Sequence, residues 1–223
     1  MDLEKNTANV LQEISKVAQE AGRSPEDINI IAVTKYVDLK TTKEIIALGI
    51  KHIGENRVDK FLSKYEALSN ESIVWHFIGS LQRRKVKEII NKIDYFHALD
   101  SLNLAKEIQK RAEHPIKCFL QVNISGEESK HGFSLEEIDN VINTLIEYDK
   151  ISIVGIMTMA PIDANSEELT DIFKTANELR LTLKDRKLKN MPLTDLSMGM
   201  SRDYKVAIQN NATYVRIGTA FFS

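Results

Sequence analysis

Apolar positions along the chain alternate between two periods. Over residues 1–21, Val10, Ile14, Val17, Ala18 and Ala21 recur at helical spacing, and Gly22 follows as a stop signal. IIAVTK (30–35) is a short β-rich run. A helix carrying Ile45, Ile46 and Leu48 comes next and ends at Gly49. HIGE (52–55) leads into a helix through Phe61, Leu62, Tyr65 and Leu68, and WHFIGS (75–80) into one with Val86, Ile89 and Ile90. YFHALD (95–100) precedes a helix through Leu104 and Ile108. KCFLQVN (117–123) precedes a loop and a helix from Ser134, where Ser134 and Glu137 stand at capping-box spacing. ISIVGIMTM (151–159) is followed by a helix from Ser166 to Leu183, and LTDLSMGM (193–200) by a short helix around Tyr204–Ile208. TYVRIGTAFF (213–222) is the last run.

These are eight strand candidates separated mostly by helices. Regular alternation predicts a parallel sheet with helices outside it. Eight units predict a single (β/α)8 TIM barrel, with an open doubly wound sheet as the alternative. No segment long enough for an eighth helix follows the last strand. The N-terminal helix is therefore spare, and it is expected to cover the seam between strands eight and one. With 4 Pro and 9 Gly in 223 residues, no linker marks a boundary, so residues 1–223 read as one domain.

Composition then narrows the class. At 43% hydrophobic and 28% charged, the chain is too apolar for disorder. A net charge of −2 does not suggest general binding to nucleic acid or anionic membranes. The lone Cys118 excludes an intrachain disulfide framework, and its apolar setting reads as a buried, inert thiol. No apolar run approaches the roughly 20 residues of a membrane span, and the first residues mix acids and bases without a signal core. The expected compartment is the cytoplasm.

Barrel chemistry gathers at the C-terminal ends of the strands, with phosphate often held after strands seven and eight. Strand one ends in Lys35, strand two in Glu55 and Asn56, and strand three in Gly79, Ser80 and Gln82. A lysine at an apolar mouth loses solvation, which favours the neutral amine that forms Schiff bases. A solvated lysine capping a strand explains the same position. Strand seven ends in SMGMS (197–201) and strand eight in RIGT (216–219). Hydroxyls, glycine-freed N–H groups and a helix start together make an anion cradle, although each loop alone is an ordinary turn. Alternation in TYVRIG points Arg216 inward if Val215 and Ile217 face the helices. A guanidinium there needs an acceptor, and an ion pair with Asp or Glu supplies one as readily as a ligand. His52, His76, His97, His114 and His131 lack metal-ligand spacing, and His76 and His97 read as hydrogen-bonded core residues. The basic run 82–87 reads as a solvated face. No Walker loop, GxGxxG or GxSxG is present.

Seven segments resemble the pyridoxal phosphate homeostasis proteins, the YggS/PROSC family. They are AVTKYV (32–37), GENRVDKF (54–61), WHFIGSLQRRK (75–85), QVNISGEESKHGF (121–133), GIMTMAP (155–161), LSMGMSRDYKVAI (196–208) and VRIGTAFF (215–222). They run in order over nearly the whole chain. Ser80 and Arg84 depart from the residues usual in that family, which often shows Pro and Asn there.

The resemblance implies the barrel of the alanine racemase N-terminal domain. It implies pyridoxal 5′-phosphate (PLP) held as a Schiff base on Lys35. Ser201, Gly218 and Thr219 would hold the phosphate, helped by the turn through Ser197, Met198 and Gly199. Arg216 would face the pyridine nitrogen, Asn56 would lie near the cofactor, and Met157 and His76 would line the ring. No metal is implied. PLP is an electron sink when its pyridine nitrogen is protonated, and a permanent cation opposite that nitrogen restrains carbanion chemistry. No C-terminal domain of the kind that brings two-domain racemases their second base is expected. The expected role is therefore a non-catalytic PLP binder, most simply a monomer, that buffers the cofactor or delivers it to PLP-dependent apoenzymes. A racemase-type PLP enzyme acting on amino acids is the first alternative. A Schiff-base aldolase for a phosphosugar is the second.

Overall fold

The computed structural model describes residues 2–127 and 131–223; residues 128–130, within the matching segment 121–133, lie outside it. Among the described residues, eight parallel strands close into a barrel in chain order. They are β1 (Asn29–Val33), β2 (His52–Glu55), β3 (Val74–Phe77), β4 (Tyr95–Leu99), β5 (Ile116–Gln121), β6 (Ile151–Met157), β7 (Asp195–Met200) and β8 (Tyr214–Ile217). The helices are α1 (Leu3–Glu20), α2 (Leu39–Ala47), α3 (Val58–Ala67), α4 (Val86–Ile89), α5 (Leu102–Arg111), α6 (Ile138–Leu145), α7 (Ser166–Lys184), α8 (Tyr204–Gln209) and α9 (Thr219–Phe222). The barrel closes where β1 pairs with β8, Ile31 lying opposite Arg216.

Alternation along each strand builds two layers. Ile53, Phe77 and Phe96 face the helices, and Phe77 meets Phe61 of α3 edge-on. The inward positions are unlike the branched aliphatic filling common in such barrels. They carry His52, His76, Tyr95, His97, Phe119, Tyr214 and Arg216, whose rings pack against one another.

The helix α1 buries Val10, Ile14, Val17 and Ala18, as its spacing predicts. It lies against α2, α8 and α9, and so covers the β8–β1 seam. Asn6 Nδ2 fastens it by donating to the carbonyls of Phe221 and Ser223, each at 2.9 Å. The capping box before α6 is present: Glu137 accepts from the Ser134 N–H at 2.8 Å.

Six of the eight strands end before the runs read from the sequence, β1, β6 and β8 among them. β1 stops at Val33, so Lys35 stands in the following turn. The run 151–159 is strand only to Met157. The run 213–222 leaves the sheet at Ile217 and becomes α9. Ser201 Oγ causes the last change by accepting from the N–H groups of Gly218 and Ala220, which curls the chain into a helical turn. Gly199 has φ +90, and a Cβ there would lie 2.6 Å from the Ala207 Cβ. Only glycine lets β7 turn this closely into α8.

Candidate functional site

Arg216 sits on the inner face of β8 and is 4% exposed. Its Nη1 donates to Ser197 Oγ at 2.7 Å and its Nη2 to the Thr158 carbonyl at 3.1 Å. No carboxylate lies within ion-pair distance of it among the described residues; Asp203 acts on it only from further away. A guanidinium has five N–H donors, so two in use leave three. Burial lowers its pKa from 12.5 to about 10, which keeps it cationic at neutral pH. Among the described residues no ion pair fills the alternative that the sequence left open. What stands here is a buried cation with donors left over, and such a group calls for a further acceptor.

The register places the other residues around it. Arg216 lies beside Ile31 on β1, and Lys35 follows four residues later, at the C-terminal mouth. Lys35 is half-buried, with Nζ 4.8 Å from the ring centre of the exposed Tyr36. Gly218 lies against Val33, whose Cβ and carbonyl oxygen would meet an added Cβ at an ordinary 3.7 Å. Thr219 is exposed and Ser201 half-buried beside it. Lys35, Ser201, Gly218 and Thr219 thus share one mouth. Asn56 follows β2 at the same end, and its Oδ1 is buried without a hydrogen-bond partner. Met157 pairs with Ser197 across β6 and β7, both fully buried. Met198 is also fully buried and alternates outward from Ser197, toward the helices. A cleft of ≈ 380 Å³ flanks this mouth over the ends of β5 to β7, lined in part by Asn123, His131, Met159 and Met200.

His76 lies deeper, in the barrel interior. Its Nε2 is 2.9 Å from His52 Nδ1 and its Nδ1 is 2.9 Å from His97 Nε2. His97 Nδ1 in turn is 2.7 Å from Ser197 Oγ. Burial, and then the charge of His97, hold His76 well below the ordinary histidine range. Burial, and then the Arg216 charge, do the same for His97.

These two shifts set an acid limit on stability. Unfolded histidines bind protons near pH 6.5, whereas the buried pair does not. Stability is thus complete above about pH 6.5 and falls as pH drops below it, by up to about 2.7 kcal/mol per pH unit for the two groups. Urea unfolding of the ligand-free protein at pH 7, 6 and 5 is expected to show this decline, and His76→Gln to halve the slope.

The chain matches the family described as "Alanine racemase, N-terminal domain" over residues 6–223. It is 40% identical over 218 residues to the pyridoxal phosphate homeostasis protein of Aquifex aeolicus, spanning 96% of this chain and 95% of that one. It is 34% identical to the protein of the same name from Escherichia coli K12, over 99% of this chain and 96% of that one. This chain belongs to the pyridoxal phosphate homeostasis protein family. PipY of Synechococcus elongatus, solved with PLP bound, superposes with a TM-score of 0.83 at 28% identity, covering 95% of this chain and all of that one. A protein from Bifidobacterium adolescentis superposes at 0.94 and 28%, covering 99% of this chain and 94% of that one. Alanine racemase of Corynebacterium glutamicum, at 15% identity and 0.72, shares the fold; this chain spans 60% of its length.

Against this family background, three features of the site escaped the sequence reading. Thr158 supplies its main-chain carbonyl, which no side-chain pattern reveals. Lys64, in α3, reads as a surface lysine yet reaches Glu55 at 2.6 Å and the Thr34 carbonyl at 2.7 Å, wholly buried. His52 gave no metal spacing. The available signal was its inward phase, on a strand next to that of His76.

Proposed function

We propose that this chain binds PLP at the C-terminal mouth of its barrel and serves as a buffer or delivery protein for that cofactor. The observation that carries the reading is Arg216: a buried, charged, donor-only group with no carboxylate at ion-pair distance among the described residues, one strand from Lys35. Its free N–H donors suit the lone pair of an unprotonated pyridine nitrogen. The orphaned Asn56 Oδ1 and the Ser201–Gly218–Thr219 turn supply further polar groups to the same mouth. PLP brings an aldehyde that condenses reversibly with an amine, and Lys35 is the amine at this mouth. Ser201, Gly218 and Thr219 hold the phosphate, with help from the turn at Gly199; Ser197 holds Arg216 instead, Met198 points away to the helices, and Met157 and His76 bound the pocket from below. PLP-loaded PipY and the curated relatives support this reading. A cofactor held through a reversible bond is released when a free amine or a recipient apoenzyme draws it off, and those apoenzymes are the partners this role requires.

The test is the visible spectrum of the purified protein with PLP, beside Lys35→Ala. A yellow band that depends on Lys35, and that borohydride converts to a stable covalent adduct, is expected. Apoenzyme reactivation is expected with the loaded protein and not after reduction. A protein that stays colourless with added PLP overturns the reading.

A further inference from the structure

The barrel axis carries a line of side chains that a pocket at one mouth does not require. His52 opens β2 at the N-terminal mouth and is half-buried; His76, His97 and Ser197 are sealed inside. Consecutive partners lie 2.9, 2.9 and 2.7 Å apart, and the line ends on Ser197 Oγ, to which Arg216 also donates.

The direction of this line follows from Arg216. A guanidinium only donates, so Ser197 Oγ accepts from it. The serine hydrogen then needs an acceptor, and the one it meets among the described residues is His97 Nδ1. A neutral imidazole that accepts at Nδ1 carries its hydrogen on Nε2. The His97 Nε2–H therefore donates to His76 Nδ1, and the His76 Nε2–H donates to His52 Nδ1. His52 is left with its hydrogen on Nε2, toward the far mouth. The opposite direction would bury the Ser197 hydrogen without an acceptor, which is the costly arrangement. Burial first, and then the surrounding charges, keep the inner rings neutral. Lys117 and Tyr95 face His76, Arg216 faces His97, Asp94 faces His52, and Tyr214 packs against all three rings.

We propose that His52, His76 and His97 are positioning residues that form one hydrogen-bond line of fixed direction, which accepts the hydrogen of the Ser197 hydroxyl that holds Arg216. Removing the acceptor at His52 strands the His76 Nε2–H. Reversing the line does not relieve this, because the Ser197 hydrogen would then lose its acceptor and the His76 Nε2 lone pair would stand empty. The direction is therefore set at the Ser197 end, beside the ligand's ring. Its bearing on the ligand rests on the PLP reading, but the direction of the line does not.

The experiment is ¹⁵N NMR of histidine-labelled, ligand-free protein for the wild type, His52→Phe and His52→Gln. The wild type is expected to show Nε2–H tautomers at His52, His76 and His97. His52→Gln keeps a carbonyl acceptor and is expected to preserve the tautomers of His76 and His97. His52→Phe is expected to leave both on Nε2–H and to shift only the His76 Nε2–H, which loses its acceptor. PLP titration is the second arm, with affinity about two- to tenfold weaker for His97→Phe, which takes the acceptor from the Ser197 hydrogen, and unchanged for His52→Gln. A wild-type His97 carrying Nδ1–H, or a His97 moved to Nδ1–H by His52→Phe, overturns the proposal. Should His52→Phe not fold, the wild-type tautomers decide alone, and Nδ1–H at any of the three rings refutes the line. Failure of the wild type to bind PLP refutes the functional reading and leaves the tautomer result standing.

Discussion

Lys64→Met is expected to lower the unfolding free energy by about 3–5 kcal/mol, because it leaves the Glu55 carboxylate buried without its cation. For a chain of this size that is a fall of roughly 6–20 °C in Tm. Glu55 is 0% exposed, and one oxygen, Oε1, accepts from both Lys64 Nζ at 2.6 Å and Thr34 Oγ1 at 2.5 Å. Its Oε2 has no partner. The arrangement is therefore poor at absorbing the loss of Lys64. A double variant, Glu55→Gln with Lys64→Met, removes both charges and is expected to recover most of the loss. Urea melts of the three proteins check this. A single variant as stable as the wild type would show that Glu55 is neutral or hydrated. The pair also steadies the lysine turn, since Lys64 binds the carbonyl of Thr34, the residue before Lys35.

Arg216→Met is expected to separate binding from stability. Its removal abolishes a desolvated cation with no carboxylate at ion-pair distance among the described residues, and leaves the Thr158 carbonyl without its donor. These effects oppose one another. The ligand-free protein is expected to stay within about 2 kcal/mol of wild type although the site is fully buried. PLP affinity is expected to fall roughly 10- to 150-fold, the worth of one hydrogen bond from a charged donor. Chemical denaturation and a PLP titration, run on the same preparation, read the two quantities. A large stability loss with normal affinity would make Arg216 a structural residue and remove the main support for the binding reading.

Much of the architecture was legible because two periods do not mimic each other. Residues 95–100 and 151–157 alternate or run apolar, whereas Val10, Ile14 and Val17 can only share a helix face. The seam-covering role of α1 followed from counting, since the spare helix stood at the wrong end of the chain. Strand ends were less legible. Phe221 and Phe222 look like strand residues, and a hydroxyl twenty residues earlier decides that they are not. The inward direction of Arg216 was readable from its apolar neighbours, but its lack of an acid partner was not, because that depends on every strand at once. Lys64 was illegible for a similar reason. Its partner Glu55 is nine residues away, and only the packing of α3 on β2 brings them together.

The fastening of α1 to the last residues has a consequence for the order of folding. Arg216, Gly218 and Thr219 are made after the other seven strands, and β8 must find β1, which was made about 185 residues earlier. Such distant pairing is slow, because the chain is ordered before the contact rewards it. Until it forms, β1 and β7 are open edges, and α1 has an apolar face with nothing to cover. The binding mouth is therefore among the final parts of the molecule to take shape. Cofactor present during synthesis would favour the one arrangement in which the two ends of the chain have met.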